Sequence, residues 1–186
     1  MDNRDTKKSA CLTYILAVVA TAAYGLLLWR RPLSLWTYFL GLIPAAVVSN
    51  LIHELCHLGA YVLLGIPWKR LRFAFLLFEK KEEGLSLSVD FVRGIGEAEC
   101  TCLYRKSIPC NRYAFALLSG GGGCLLLGGA VIVILLFLGG SPWVRGGLQC
   151  LATALVLNGL VHLLWPGSTD RKLLRAVFEE RKGENL

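Results

Sequence analysis

The stretch Asn50–Gly65 reads NLIHELCHLGAYVLLG and carries His53, Glu54 and His57 as an H-E-x-x-H motif in an apolar, otherwise uncharged run. On a helix, positions i and i+4 share one face, so both imidazoles can aim at a single Zn²⁺. Glu54 is then placed to take a proton from the attacking water. Ionisable groups within an apolar segment are costly without partners, which favours a metal site over a chance pattern or a packed histidine pair.

The composition predicts a polytopic membrane protein. Of the 186 residues, 55% are hydrophobic and only 18% are charged, which is too apolar for an ordinary soluble domain of this length. Three runs contain no Asp, Glu, Lys or Arg, and each is long enough to cross a hydrocarbon core of ~30 Å. They are Ser9–Trp29, Tyr113–Val144 and Gly146–Thr169.

Four membrane spans are predicted, at about Cys11–Trp29, Ala45–Gly65, Tyr113–Leu138 and Pro142–Leu164. A signal peptide is the alternative for the first, but its apolar run exceeds the usual length and favours a retained anchor. Pro44 predicts a helix break. Pro32–Ile43 is therefore interpreted as an interfacial or partly re-entrant lead-in to the second span.

The polar loop Trp68–Arg112 is predicted to contain a β-hairpin. Leu85–Phe91 alternates apolar and polar residues, and Leu71–Phe78 is its candidate partner across the charged turn Glu79–Gly84. A solvated linker is the alternative. The predicted fold class is an all-α polytopic membrane protein with a small hairpin in this loop, forming a single domain. The tail Arg171–Leu186 is expected to lie on the membrane surface as a weakly amphipathic segment.

The distribution of basic residues predicts the orientation. Lys and Arg concentrate in the N-terminal head, the loop 68–112 and the tail 171–186, so both termini and the loop are expected in the cytoplasm. The expected location is a prokaryotic cell membrane. The net charge of +7 indicates attraction to anionic lipids, and no nucleic-acid-binding motif is present.

A third metal ligand must come from elsewhere, because catalytic zinc uses three protein ligands and an open position. Asp170 follows the Pro166-Gly167 break at the end of the fourth span and could fold back to supply an oxygen ligand. His162, on regular helix, is the reserve ligand. The glycine-rich run Ser119–Gly123 predicts close helix packing or, alternatively, room for metal or substrate beside the two motif histidines.

An H-E-x-x-H on a membrane helix, with a later Asp after a Pro/Gly break, resembles the site-2 protease family of intramembrane zinc metalloproteases, over about Ala45–Lys172. The resemblance implies that His53, His57 and Asp170 bind zinc and that Glu54 is the general base. It also implies a small sheet near the site that holds substrate in extended form, which suits Leu85–Phe91. Asn158, one turn before His162, could hydrogen-bond the substrate carbonyl or a ligand.

The expected function is therefore zinc-dependent endoproteolysis, with one Zn²⁺ per chain, of a membrane-spanning or membrane-associated peptide near the cytosolic face. A regulatory membrane partner is also expected. The alternative is a non-enzymatic zinc-binding membrane protein, such as an immunity or accessory factor, but the presence of Glu54 favours chemistry. Among the seven cysteines, Cys100, Cys102 and Cys110 are expected in the reducing cytoplasm without disulfides. A second metal site at these residues lacks the usual paired spacing.

Overall fold

The computed structural model describes residues 35–73, 76–81, 84–89, 98–102, 108–137 and 141–184. The predicted first span, Cys11–Trp29, lies outside the described residues, and so do Asp90 and Phe91 at the end of the predicted strand. The helices are α1 (Leu35–Leu63), α2 (Cys110–Phe137), α3 (Pro142–Leu164) and α4 (Thr169–Glu184). The strands are β1 (Trp68–Phe73), β2 (Leu76–Lys81), β3 (Gly84–Val89) and β4 (Ala98–Cys102).

Three helical stretches of the described chain are long and apolar enough to cross a membrane. They are Tyr38–Leu63, Cys110–Phe137 and Pro142–Glu179, the last of which continues from α3 through a turn into α4. The prediction of long apolar helices is thus confirmed for these three. The bounds of α2 and α3 differ by at most a few residues from those expected for the third and fourth spans.

The predicted break at Pro44 is wrong. Helix α1 begins at Leu35 and continues through Pro44 to Leu63, so the described part of the expected lead-in, residues 35–43, belongs to one long helix. A proline removes one backbone hydrogen bond, but neighbouring helices can compensate for this in membrane helices. Next to this position Ala45 is buried against Cys150 and Ala154 of α3, and Tyr38 bonds Thr153 of α3 at 2.8 Å. Packing against α3 therefore stabilises the helix on both sides of the proline.

The loop after α1 forms a four-stranded antiparallel sheet in the order β3-β2-β1-β4, rather than a single hairpin. The segment expected as one partner strand is split between β1 and β2, and β2 pairs with β3 from Leu76↔Val89 to Lys81↔Gly84. The fourth strand, β4, pairs with β1 in the register Leu71↔Cys100. Strands β1 and β4 contact α1, whereas β3 contacts only β2 among the described elements.

A glycine turn directs the chain from α1 into the sheet. Gly65 has φ of +66°, a left-handed conformation in which a side chain would be strained. The N–H of Ile66 donates to the carbonyl of Tyr61 at 2.8 Å, which closes the helix end. The turn allows β1 to start immediately beside the end of α1.

The main hydrophobic core lies where α1, α2 and α4 meet. Leu174 and Val177 of α4 are buried in the same cluster as Tyr61 of α1 and Ala116 of α2. The tail thus forms a helix that packs its apolar side chains into the protein, and its position on the membrane surface stays a prediction. Asp170 lies in the first turn of α4, next to α1.

Candidate metal centre

All three histidines of the chain meet Asp170 at one place between α1, α3 and α4. His53 and His57 of α1 are 1% and 3% exposed, and their Nε2 atoms lie 3.0 Å apart. The Asp170 carboxylate approaches from α4, with Oδ2 3.1 Å from His53 Nε2 and Oδ1 3.4 Å from His57 Nε2. His53, His57 and Asp170, called the metal group below, form a buried set of ligands that could hold a metal ion.

The ring orientation of His57 is determined by a backbone hydrogen bond. Its Nδ1 lies 2.8 Å from the carbonyl oxygen of Ala116, and since a carbonyl can only accept, Nδ1 carries the proton. In a neutral ring, Nε2 is then a bare lone pair. This lone pair faces a carboxylate oxygen of Asp170 at 3.4 Å, so acceptor faces acceptor. His53 Nε2 can donate its one proton to either of these two acceptors, whereas a metal ion or an additional proton would satisfy both of them.

The spacing of the ligand atoms fits a tetrahedral zinc site. Zinc-ligand distances of about 2.0–2.1 Å imply ligand-to-ligand separations of about 3.3 Å in a tetrahedron. The observed separations are 3.0 Å between the two Nε2 atoms, 3.1 Å from His53 Nε2 to Asp170 Oδ2 and 3.4 Å from His57 Nε2 to Asp170 Oδ1. They are of this size, although Asp170 presents a different oxygen to each histidine. Three corners are thus supplied by the chain, which is the number that a catalytic zinc site uses.

Gly120 of α2 provides the space that the two imidazoles occupy. A Cβ at this position would clash with Nε2 of His57 and would lie 2.7 Å from Nε2 of His53. Only a glycine lets the α2 backbone pass this close to the ligand atoms. By contrast, a Cβ at the neighbouring Gly122 would meet nothing within 4 Å. The expectation that the glycine run leaves room beside the histidines thus applies specifically to Gly120.

The break after α3 directs Asp170 toward the histidines. The hydroxyl of Ser168 donates to the carbonyl of His162 at 3.1 Å and accepts the N–H of Arg171 at 3.3 Å. Ser168 therefore caps the first turn of α4, where Asp170 lies. The Pro166-Gly167 turn allows α4 to start at an angle to α3, and the cap stabilises that start.

His162 contacts Asp170 rather than completing the metal group. Its Nδ1 lies 2.8 Å from Asp170 Oδ2, and its ring packs against that of His53 with centroids 3.9 Å apart. Histidine-carboxylate hydrogen bonds of this kind orient a ligand without binding the metal. Nδ1 of His53, in contrast, is buried and makes no hydrogen bond within the described part of the chain.

Glu54 lies beside the metal group and is held by the sheet. It is 8% exposed, and its carboxylate accepts a hydrogen bond from the backbone N–H of Cys100 in β4. Sequence reasoning missed this strand, although Ala98-Glu99-Cys100-Thr101-Cys102 alternates small apolar and polar residues at period two. The strand next to the site is therefore β4 and not β3, which includes most of the predicted Leu85–Phe91.

Asn158 lies in a separate polar cluster. Its Nδ2 donates to Oγ of Ser49 at 3.2 Å and to Oδ1 of Asn50 at 2.8 Å. Ser49, Asn50 and Asn158, called the amide cluster below, join α1 to α3 about one helical turn before the metal group. Both amide hydrogens of Asn158 are thus engaged. A contact with substrate stays a prediction, and it would require one of these bonds to open.

The cysteines contribute no second set of metal ligands in the described part of the chain, where the metal group alone meets the geometric criteria. The six cysteines within the described ranges are all free thiols, and Cys11 lies outside those ranges. Burial raises the pKa of the Cys100 thiol to about 12, and the nearby Glu54 carboxylate makes the next largest contribution. Cys100 is therefore protonated at neutral pH, and a protonated thiol is a poor ligand and nucleophile.

Comparison with known proteins places the chain in no family. No protein-family model, no curated protein and no solved structure matches it.

Proposed function

We propose that this protein is a zinc-dependent intramembrane endoprotease, similar in its chemistry to the site-2 proteases, that cleaves a membrane-spanning or membrane-associated peptide. The observation that carries the proposal is the metal group with Glu54 beside it. His53, His57 and Asp170 come from two helices, with ligand atoms 3.0 to 3.4 Å apart, inside helices that are apolar enough to cross a membrane. A structural histidine pair would not require the carboxylate from α4.

The metal would be Zn²⁺, one per chain, held by His53 Nε2, His57 Nε2 and the Asp170 carboxylate. Two imidazoles and a carboxylate are a donor set that zinc enzymes use with a fourth position left open. When bound, zinc supplies polarisation of the scissile carbonyl and a lower pKa for the attacking water. The Ala116 carbonyl and the His162 ring orient His57 and Asp170 for this role.

Glu54 would be the general base. It follows the first ligand directly in the chain, so its carboxylate lies on the flank of the metal group. In the proposed reaction it accepts a proton from the attacking water and returns it to the amine of the leaving peptide. The bond from the Cys100 N–H limits the rotation of the carboxylate.

The edge of β4 that pairs with no strand in the described part of the chain would hold the substrate. An intact substrate helix hides its carbonyls in intrahelical bonds, so the scissile segment must be extended. Strand β4 is at one end of the described sheet and bonds Glu54 through Cys100. A peptide that pairs with this edge would run past the base, in the manner of β-strand addition.

The proposed location is a prokaryotic cell membrane, with both termini and the sheet on the cytoplasmic side. The concentration of Lys and Arg in the head, loop and tail supports this orientation. A regulatory membrane partner is part of the proposal. Nucleic acid is not, because the excess of basic residues fits anionic lipid.

The test is Glu54→Gln, which keeps size and polarity but removes the proton acceptor. Membrane-protein termini would be compared by mass spectrometry in cells that produce the wild type or the variant. We expect new termini with the wild type only, while both purified proteins contain equal zinc and unfold at the same temperature. Equal sets of termini, with zinc present in both proteins, would favour the alternative of a non-enzymatic zinc-binding membrane protein.

A further inference from the structure

Helix α4 has an apolar side inside the protein and a basic side outside it. Leu174 and Val177 are buried in the main core, whereas Arg171, Lys172 and Arg175 are exposed. Arg171 and Arg175 are one helical turn apart and share a face, with Lys172 beside them. Among the described residues, none of these three cations forms an ion pair with an acidic side chain. The basic side of α4 is therefore suited to an anion.

A cavity of about 550 Å³ lies against this basic side, and its size is typical of small-molecule sites. All three cations line the cavity, and so do the apolar side chains of Pro166, Leu174 and Phe178. The described lining also includes one acid, Glu179, so three cations against one acid leave an excess of two positive charges. The cavity thus offers charge to an anion and apolar surface to a hydrocarbon attached to that anion.

Helix α4 lies where the three long apolar helices begin or end. Its Leu174 and Val177 share a core with Tyr61, near the end of α1. The thiol of Cys110, the first residue of α2, donates to the Val177 carbonyl at 4.0 Å, and the chain enters α4 directly after the end of α3. In a membrane crossed by these helices, α4 therefore lies at the level of one surface, where the phosphate groups of lipids are.

The apolar part of the lining distinguishes a lipid from a free anion. Phe178 is 47% exposed although it lines the cavity, and Leu173 on the same helix is 42% exposed. Inorganic phosphate would contact the cations but would cover no apolar surface at Phe178 or Pro166. An anionic phospholipid supplies a phosphate group for the cations and acyl chains for the apolar side chains. The lining therefore favours a phospholipid.

We propose that the cavity lined by Arg171, Lys172 and Arg175 binds the headgroup phosphate of an anionic phospholipid, with the start of its acyl chains against Pro166 and Phe178. The guanidinium groups can form paired hydrogen bonds with phosphate oxygens, and the lysine adds a point charge. Such a site holds one lipid at defined side chains, which distinguishes it from the general attraction of basic residues to an anionic membrane. It is independent of zinc and of proteolysis and goes beyond the proposed function.

The test compares two double variants of the full chain in detergent. The cavity variant, Lys172→Gln with Arg175→Gln, loses two cations of the lining, and Arg171 is kept because it follows a residue of the metal group. The control variant, Lys69→Gln with Arg112→Gln, loses the same two residue types at exposed positions outside the lining. Native mass spectrometry during a titration with phosphatidylglycerol gives the dissociation constant of the first bound lipid. We expect roughly 30-fold weaker binding by the cavity variant, about fivefold for each cation removed, and little change in the control variant.

Equal losses of affinity in the two variants would overturn the proposal, since the attraction to lipid would then be diffuse. Equal affinity of the wild type for phosphatidylcholine would also overturn it, because the cations would then not select an anionic headgroup. Displacement of the lipid by inorganic phosphate at equal concentration would assign the cavity to free phosphate and overturn the lipid as its ligand. If the cavity variant does not fold, as judged by its unfolding temperature, Arg175→Gln replaces it, with Arg112→Gln as the control.

Discussion

Two polar clusters lie along α1, about one helical turn apart, and they satisfy their polar groups in different ways. In the amide cluster the donors of Asn158 and Ser49 face acceptors: the Asn158 amide donates to Ser49 and Asn50, and the Ser49 hydroxyl donates to the Ala46 carbonyl at 3.0 Å. In the metal group, the lone pair of His57 faces the carboxylate of Asp170.

This difference in hydrogen bonding distinguishes a cluster that joins two helices, the amide cluster, from one that could bind a ligand, the metal group. A cluster whose donors and acceptors match is complete, and it joins helices in an apolar surrounding. A cluster in which acceptors outnumber the available donors can be completed by a cation. Polar residues in a membrane helix therefore indicate function through the mismatch of their hydrogen-bonding groups, rather than through their presence alone.

The largest expected effect follows from removing the two motif ligands. His53→Ala with His57→Ala should abolish zinc binding, because only Asp170 would remain of the metal group. Zinc per chain would be measured by elemental mass spectrometry on protein purified without chelators, and about one zinc is expected for the wild type. If the folded double variant kept its zinc, the metal group would not be the zinc site, and the distinction between the two clusters would no longer hold.

A large loss of zinc affinity is also expected from adding one methyl group at position 120. Gly120→Ala should push both imidazoles from their positions and weaken zinc affinity by roughly 100-fold, the upper range for disturbed ligand orientation. Gly122→Ala is the matched control, since its Cβ meets nothing and it gains the same helix propensity. Affinity would be measured by competition with a chromophoric chelator. Equal zinc affinities of the two variants would contradict the assignment of Gly120 as the residue that provides space for the imidazoles.

An intermediate effect separates the ligand Asp170 from its neighbour His162. Asp170→Ala should weaken zinc affinity more than tenfold, whereas His162→Ala should cost about tenfold through loss of the orienting bond. His162→Asn keeps an N–H donor near Nδ1 and should restore most of the affinity. The d–d absorption of the Co²⁺-substituted protein reports the ligand set. A change of that spectrum in His162→Asn would identify His162 as a direct ligand.

The smallest effect is expected in the amide cluster. Asn158→Leu should lower the free energy of unfolding by about 1 kcal/mol, the scale of an interhelical hydrogen bond in a membrane, and leave zinc affinity unchanged. Thermal unfolding in detergent and the chelator competition measure the two quantities. A loss of cleavage without either change would instead support the predicted contact of Asn158 with substrate.

The short spacing of residues along the chain explains why part of the site can be predicted from the sequence alone. His53 and His57 share a helix face whatever the rest of the chain does, and the apolar runs of α2 and α3 predict their bounds closely. The strand β3 was predicted from its alternation. Each of these features depends on residues within a few positions of one another.

Tertiary structure decided the remainder. Whether Asp170 or His162 approaches the motif depends on the angle of α4 after the Pro166 turn. The identity of Gly120 as the close contact depends on how α2 crosses α1. Continuation of α1 through Pro44, and the position of β4 beside Glu54, depend on packing against distant segments. The sequence by itself determined that His53, Glu54 and His57 lie together on an apolar helix, because that pattern is local. The approach of Asp170 to the two histidines, its contact with His162 and the position of β4 beside Glu54 were decided by long-range packing, which no spacing along the chain encodes.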